Sequence, residues 1–466
     1  MMTELRLTDA AILYGGTLLN PDCQFSKVST DSRKIDQGDL FVALKGERFD
    51  AHQFLSDVAD KAAGLVVSEV NEHITLPQWV VEDTTQALGQ IAEMRRDLHS
   101  GCVIAITGSS GKTSVKEMTA AILRQNSAVH ATAGNLNNHL GVPLTLLAMG
   151  ANTDTAVLEM GASGAGEIAY LCKIAKPNVA LVNNAQKAHL EGFGSVEGIA
   201  AAKGEIYSGL SESGTAILNI DQGWSQGWRK LIGSRSCITF SIEDSSADFW
   251  ATNIDVLSSG CSRFDLNHRR EGEVVTQSIQ LSVPGIHSVN NALAAAACAT
   301  AAGASLSQIQ QGLATVMPVS GRLNSIQLSE NITLIDDTYN ANPDSFKAGI
   351  DVLQAIDGNT ILVMGDMAEL GENASEMHRD IGGYALESGI DQLFCVGNLS
   401  ASAADMFRGN HFSSKEELLS ALESSLQKLS NQGLAKEKNK TTVLVKGSRS
   451  SGMDTVVKKL SEKGVF

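Results

Sequence analysis

Ile104-Ala105-Ile106-Thr107-Gly108-Ser109-Ser110-Gly111-Lys112-Thr113 is the stretch that decides how this chain folds. A short apolar strand runs into a loop with two glycines, and the loop opens a helix that begins with lysine and threonine. Glycines let backbone N–H groups close around phosphate oxygens, and a helix N-terminus favours anions. Lys112 adds a point charge and Thr113 offers a hydroxyl to Mg²⁺. The general pattern G-x-x-x-x-G-K-[ST] asks for glycine where this chain carries Ile106, so the loop is a shortened variant. An ordinary glycine turn with a surface lysine would not need a strand before it and a helix after it. The loop therefore predicts ATP binding through Thr107, Gly108, Ser109, Ser110, Gly111, Lys112 and Thr113.

Outward from the loop, apolar strand-like runs alternate with helical ones: Val103 to Ile106, a helix from Thr113, Ala156 to Leu158, Val179 to Val182. Such alternation predicts βαβ units and a parallel sheet. Between 248 and 283 polar and apolar residues alternate singly, which predicts a small antiparallel insert. Asn291 to Ala302 is an alanine-rich helix stopped by Gly303. After Pro318 the α/β alternation resumes at Thr333 to Ile335, Ile361 to Met364, Leu393 to Val396 and Thr442 to Val445, a second nucleotide-fold-like unit. Short strands at Leu40 to Leu44 and Leu65 to Val67 precede a helix from Thr84 to Leu98. Domain boundaries are expected near 83 and 318.

The 466 residues suit two to four domains, and 43% hydrophobic against 19% charged residues gives a packed globular chain. A net charge of −16 leaves no basic field for nucleic acid or an anionic membrane. With no signal-like N-terminus and no run of 18 apolar residues, neither export nor a membrane span is expected. Seven widely spaced cysteines without a Cys-x-x-Cys pair fit a reduced, cytoplasmic setting.

Three further residues are ligand candidates. Glu159 stands at the carboxyl end of a predicted strand, the edge where open α/β sheets bind ligands, and suits Mg²⁺. His189 follows the strand ending at Asn184, and Lys203 comes 14 residues later on a helix. Read by themselves, a single histidine and a helical lysine are more often structural or solvated.

With these residues in view, the chain resembles the Mur ligases, the ATP-dependent amide-forming family of peptidoglycan precursor synthesis, across three domains. Thr107 to Thr113 is similar to that family's loop, which also lacks the first glycine. The resemblance implies that Thr113 and Glu159 hold one Mg²⁺, and that His189 and a carbamylated Lys203 hold a second. His287-Ser288-Val289-Asn290-Asn291-Ala292-Leu293-Ala294 is similar to the family's H-N-x-x-N-A-L-A run, with Asn291 near the adenine and Ser288 as a departure. Arg322 resembles the arginine that opens the third domain and reaches the phosphates. Asp336-Asp337-Thr338-Tyr339-Asn340-Ala341-Asn342-Pro343 resembles the branch that adds D-alanyl-D-alanine, with Asp337 at the nucleotide and Tyr339, Asn340 and Asn342 at the substrate. Gly365-Asp366-Met367-Ala368-Glu369-Leu370-Gly371 and Lys446-Gly447-Ser448-Arg449 fit the same branch. At the N-terminus Ser29, Thr30, Asp31, Ser32 and Arg33, with Lys45 and Gly46, resemble its UDP-sugar site.

The implied architecture is α/β in three domains. Residues 1–83 bind the UDP precursor. Residues 84–318 form a P-loop ATPase-like parallel sheet with the small antiparallel insert. Residues 319–466 form a Rossmann-like domain that closes over ATP and binds the incoming dipeptide. The implied reaction joins D-Ala-D-Ala to UDP-MurNAc-tripeptide through an acyl phosphate, in a monomer. Lys112, His189, Lys203 and Arg322 are its expected catalytic groups, consistent with a reaction governed by positioning and charge neutralisation. Two other readings compete: a folylpolyglutamate-type ligase sharing the ATP domain, and a P-loop switch that binds ATP without synthesis.

Overall fold

The computed structural model describes residues 4–433 and 440–463. Its centre is a nine-stranded sheet. Seven of its strands run parallel: Phe249–Val256, Ser236–Ser241, Thr215–Asn219, Val179–Val182, Cys102–Thr107, Thr155–Glu159 and Val129–Ala131, in that spatial order. Strands buried on both faces read as continuous apolar runs, which is why Val179–Val182 is found where expected. Chain order reverses around Cys102–Thr107: the next strands in sequence lie on one side of it and Val179–Val182 on the other. The phosphate loop leaves that strand's carboxyl end, beside the ends of Thr155–Glu159 and Val179–Val182.

The alternating segment at 248–283 forms the expected antiparallel strands, and they join the central sheet. Phe249–Val256 pairs parallel with Ser236–Ser241 through Phe240 and Phe249, and Cys261–Arg270 and Glu273–Pro284 continue it antiparallel. These strands widen the central sheet, because their inward residues Phe249, Phe264, Leu266, Ile279 and Leu281 pack on the alanine-rich helix in one core. That helix runs Ile286–Ala301 and so begins five residues before the predicted start, after Gly285 turns the chain at φ 90°. Periodicity located its apolar body but not its polar first turn.

The N-terminal sheet orders Thr17–Leu19, Gln78–Val80, Gly64–Val67, Leu40–Val42 and Val28–Ser29, and only its outer pair is antiparallel. One face (Leu40, Val42, Val66, Trp79) shares a core with Leu88, Ile91 and Ala92 of the helix Thr84–Asp97 and with the central sheet. Beyond 320, six strands are ordered Asn324–Ser329, Ile332–Asp337, Thr441–Lys446, Asn359–Gly365, Gln392–Val396 and Asn410–Phe412, all parallel except the first. Helices cover both faces of this sheet, giving two separate cores. No helix among the described residues is long and apolar enough to cross a membrane.

Candidate active site

A cleft of about 530 Å³ lies where the carboxyl ends of the central and C-terminal sheets face each other. Ser109, Ser110, Gly111 and Lys112 line its floor, with Glu159, His189 and Asn291 beside them and Arg322, Asp337, Tyr339, Asn340 and Asn342 opposite. Sequence motifs more than 200 residues apart thus converge.

The loop is held from below by amides. Asn184 accepts from Ser110 N through Oδ1 at 2.9 Å and donates through Nδ2 to Ser110 O at 3.1 Å. Asn183 Nδ2 donates to Ser110 O and to Asn291 Oδ1. Gly111 has φ 78°, and a Cβ there would stand 2.6 Å from both Asn183 Nδ2 and Asn291 Oδ1, so only glycine fits over the amide pair. Asn291, expected near the base, is buried and backs this loop. Lys112 Nζ donates to Gly108 O at 2.7 Å. Burial holds the Lys112 ammonium below its ordinary pKa, with the neighbouring Arg322 adding to the effect and Glu159 opposing it. Thr107 is fully buried and donates to Met160 O, so it anchors the loop from the strand side.

Glu159 is 2% exposed and accepts two neutral donors, Thr113 Oγ1 on Oε2 and Asn137 Nδ2 on Oε1, each at 2.7 Å. Among the described residues it has no ion-pair partner. A buried carboxylate next to a hydroxyl, held by neutral donors alone, is a donor set that fits a hard divalent cation. Among the described residues no three His, Cys, Asp or Glu side chains converge as a metal site. Any second cation would have to draw on other groups, such as a modified lysine.

His189 stands in left-handed backbone (φ 57°) and meets the Glu369 carboxylate of the C-terminal domain through Nδ1; Glu369 is left-handed too (φ 60°). Two non-glycine residues in this region at one inter-domain contact are the kind of strain that gathers at functional sites. Burial pulls the His189 pKa down, against the opposing pull of Glu369. Lys203 is 2% exposed, and its Nζ lies 5.7 Å from the Phe193 ring centroid. Burial, helped by the charge of Lys112, lowers its pKa to about 7.

On the facing wall, Gly321 (φ 73°) donates to Asp336 Oδ2 and accepts from Tyr339 N, which turns the chain so that the Arg322 guanidinium stacks on the Tyr339 ring at 4.2 Å. Asp337 is gripped by Lys446 Nζ at 2.5 Å, and the same ammonium donates to Asn340 O. Asn342 caps the helix Pro343–Gln354 by accepting from Ser345 N, and it donates to Ser110 Oγ at 3.1 Å across the cleft.

Ser29, Thr30, Asp31, Ser32, Arg33, Lys45 and Gly46 do not line this cleft. They follow the carboxyl ends of Val28–Ser29 and Leu40–Val42 in the N-terminal sheet. There Arg33 forks onto Asp31 at 2.8 and 2.9 Å, holding that carboxyl down at about 2. Lys45 pairs with Asp50 at 3.8 Å. Asn137, Asn183, Asn184, His287, Glu369 and Lys446 belong to the cleft region and were not singled out individually. His287, Glu369 and Lys446 lie within sequence motifs, whereas the asparagines sit in loops whose partners no spacing reveals.

Residues 106–299 match the Mur ligase middle domain, and residues 321–449 match the Mur ligase glutamate ligase domain. The UDP-N-acetylmuramoyl-tripeptide–D-alanyl-D-alanine ligase of Escherichia coli (strain K12) is 46% identical over 464 residues, covering 99% of this chain and 100% of its own. The MurF crystal structure from Acinetobacter baumannii superposes with a TM-score of 0.91 at 36% identity, covering 99% of both chains. That of the Thermotoga maritima MurF ligase in complex with ADP gives 0.80 at 28% identity, covering 94% of this chain and 97% of the other.

Proposed function

The chain belongs to the Mur ligase family, and from that premise we propose how its cleft works. It is an ATP-dependent amide ligase of peptidoglycan precursor synthesis that adds D-alanyl-D-alanine to UDP-MurNAc-tripeptide. The single observation that carries the reading of the site is the convergence of the phosphate loop with Arg322, Asp337 and Asn342 on one cleft.

In the first step the terminal carboxylate of the tripeptide attacks the γ-phosphorus of ATP; the bond to the β–γ bridging oxygen breaks, ADP leaves and an acyl phosphate forms. In the second, the dipeptide amine attacks the acyl carbon and loses a proton, while phosphate departs with the former carboxylate oxygen. The loop amides from Gly108 to Lys112 and the Lys112 ammonium bind the phosphates, and Arg322 faces them from the opposite wall. Asn183 and Asn184 keep the loop in shape. Asp337, locked by Lys446, and the stack of Tyr339 on Arg322 preorganise the wall, so little reorganisation is left to the reacting complex. The contacts of Asn342 with Ser110 and of Glu369 with His189 hold the C-terminal domain against the loop, which favours exclusion of the water that would hydrolyse an acyl phosphate.

Thr113 and Glu159 would hold one Mg²⁺, and His189 with Lys203 a second; bound there, the ion neutralises phosphate charge. A plain ammonium at Lys203 would repel a cation. The lowered pKa of Lys203, set by burial and by Lys112 against the weaker opposing pull of Glu167, supports carbamylation, in which the neutral amine adds CO₂ and releases a proton. The loops at 29–33 and 45–46 would take the UDP moiety, as expected of ligands at the carboxyl ends of parallel strands. We assign 1–83, 84–318 and 319–466 as precursor, ATP and dipeptide-binding domains of a cytoplasmic monomer. A folylpolyglutamate-type reading has against it the 46% identity over 464 residues, a match that takes in the N-terminal sheet.

ADP release separates a ligase from a nucleotide switch. The expected result is release only when ATP, UDP-MurNAc-tripeptide and D-Ala-D-Ala are all present; equal release with either acceptor or dipeptide omitted would overturn the reading.

A further inference from the structure

Lys116 lies one turn beyond the phosphate loop on the helix Lys112–Leu123, is 1% exposed and does not line the cleft. A buried ammonium is costly unless its protons are taken up. Its Nζ donates to Thr132 O at 2.7 Å and pairs with Glu117 Oε1 at 2.7 Å. Thr132 is itself 2% exposed, and its Oγ1 accepts the backbone N–H of Glu159 at 3.0 Å. From Thr132 the chain runs on to Asn137, whose side chain holds Glu159 Oε1 and whose carbonyl accepts from Gly161 N at 2.8 Å. The segment 132–137 therefore grips the Glu159 strand end at its backbone and at its carboxylate, and Lys116 anchors the segment's start.

We propose that Lys116 is a positioning residue that sets the aim of the Glu159 carboxylate through Thr132. Its ammonium is spent on Thr132 and Glu117, and the residue itself is outside the cleft lining. Without its charge-assisted bond the Thr132 carbonyl is left buried and unpaired, and the segment carrying both Glu159 contacts is free to shift. Partners standing behind a metal ligand commonly govern affinity about 10–100-fold when lost. The inference rests on the reading of Glu159 as a divalent-cation ligand.

The test is Mn²⁺ binding in the presence of ADP, followed by electron paramagnetic resonance on the full chain, beside the KM for UDP-MurNAc-tripeptide. Lys116→Met and Thr132→Val should each weaken Mn²⁺ binding about tenfold with the precursor KM unchanged, Thr132→Ser should bind like the parent, and Glu159→Gln should lose the site. Parental Mn²⁺ affinity in either Lys116→Met or Thr132→Val, with Glu159→Gln defective, overturns the positioning role and leaves the metal reading standing. Parental affinity in Glu159→Gln overturns both. Should Lys116→Met fail to fold, Lys116→Gln, which fills the space without the charge, is measured in its place with the same expected and overturning results.

Discussion

Lys203 is the residue on which physical chemistry and family resemblance meet most sharply. In an unfolded chain its amine titrates near 10.5, and burial brings that to about 7. The cost of burying the ammonium is full below about 7 and is relieved as pH rises toward 10.5, because the unfolded chain then holds the extra proton. Carbamylation needs the neutral amine, so bicarbonate should restore CO₂-depleted enzyme better above pH 7 than below it. Lys203→Arg keeps a cation that cannot be carbamylated, and its activity should fall about 100-fold, the upper range for loss of a metal-site group. Carbon-13 NMR with labelled bicarbonate should show a carbamate signal in the parent and none in the variant. Full activity of Lys203→Arg would contradict the assignment.

At the scale of elements, the helix Pro343–Gln354 is tied to the phosphate loop by its own cap. Asn342 uses Oδ1 for Ser345 N and Nδ2 for Ser110, so the two roles can be separated. Asn342→Asp keeps the capping acceptor and loses the donor, placing a carboxylate against a phosphate-binding loop; its stability should stay near the parent while kcat/KM for ATP drops roughly tenfold, the size of a lost charge-sensitive contact. Asn342→Ala should cost about 1 kcal/mol of stability in addition. Denaturant melts and steady-state kinetics on both variants check this. The strands that build the cleft were legible because parallel strands buried on both faces are plain apolar runs: Val179–Val182 needed no correction. The widened sheet was not, since alternation announces antiparallel pairing without saying which sheet the strands join. Lys446 illustrates the limit for side chains: its partner Asp337 is 109 residues away, and only the parallel pairing of their strands brings the two together.

For the molecule as a whole, the first sheet is less separable than a modular reading of residues 1–83 suggests. Trp79 and Val66 share one core with Leu88, Ile91 and the central sheet, so a chain lacking that sheet would expose a broad apolar face. Precursor binding is better probed by point changes at Lys45 or Arg33 than by truncation. The central and C-terminal sheets present their carboxyl edges to one cleft and are in contact across it through Asn342 and Glu369. The central claim is that this cleft activates the tripeptide carboxylate by phosphorylation before the dipeptide amine attacks. Its most direct test is UDP-MurNAc-tripeptide carrying oxygen-18 in the terminal carboxylate, with the released phosphate analysed by mass spectrometry. One labelled oxygen in phosphate for each amide bond formed is the predicted result; product formed with unlabelled phosphate would contradict it.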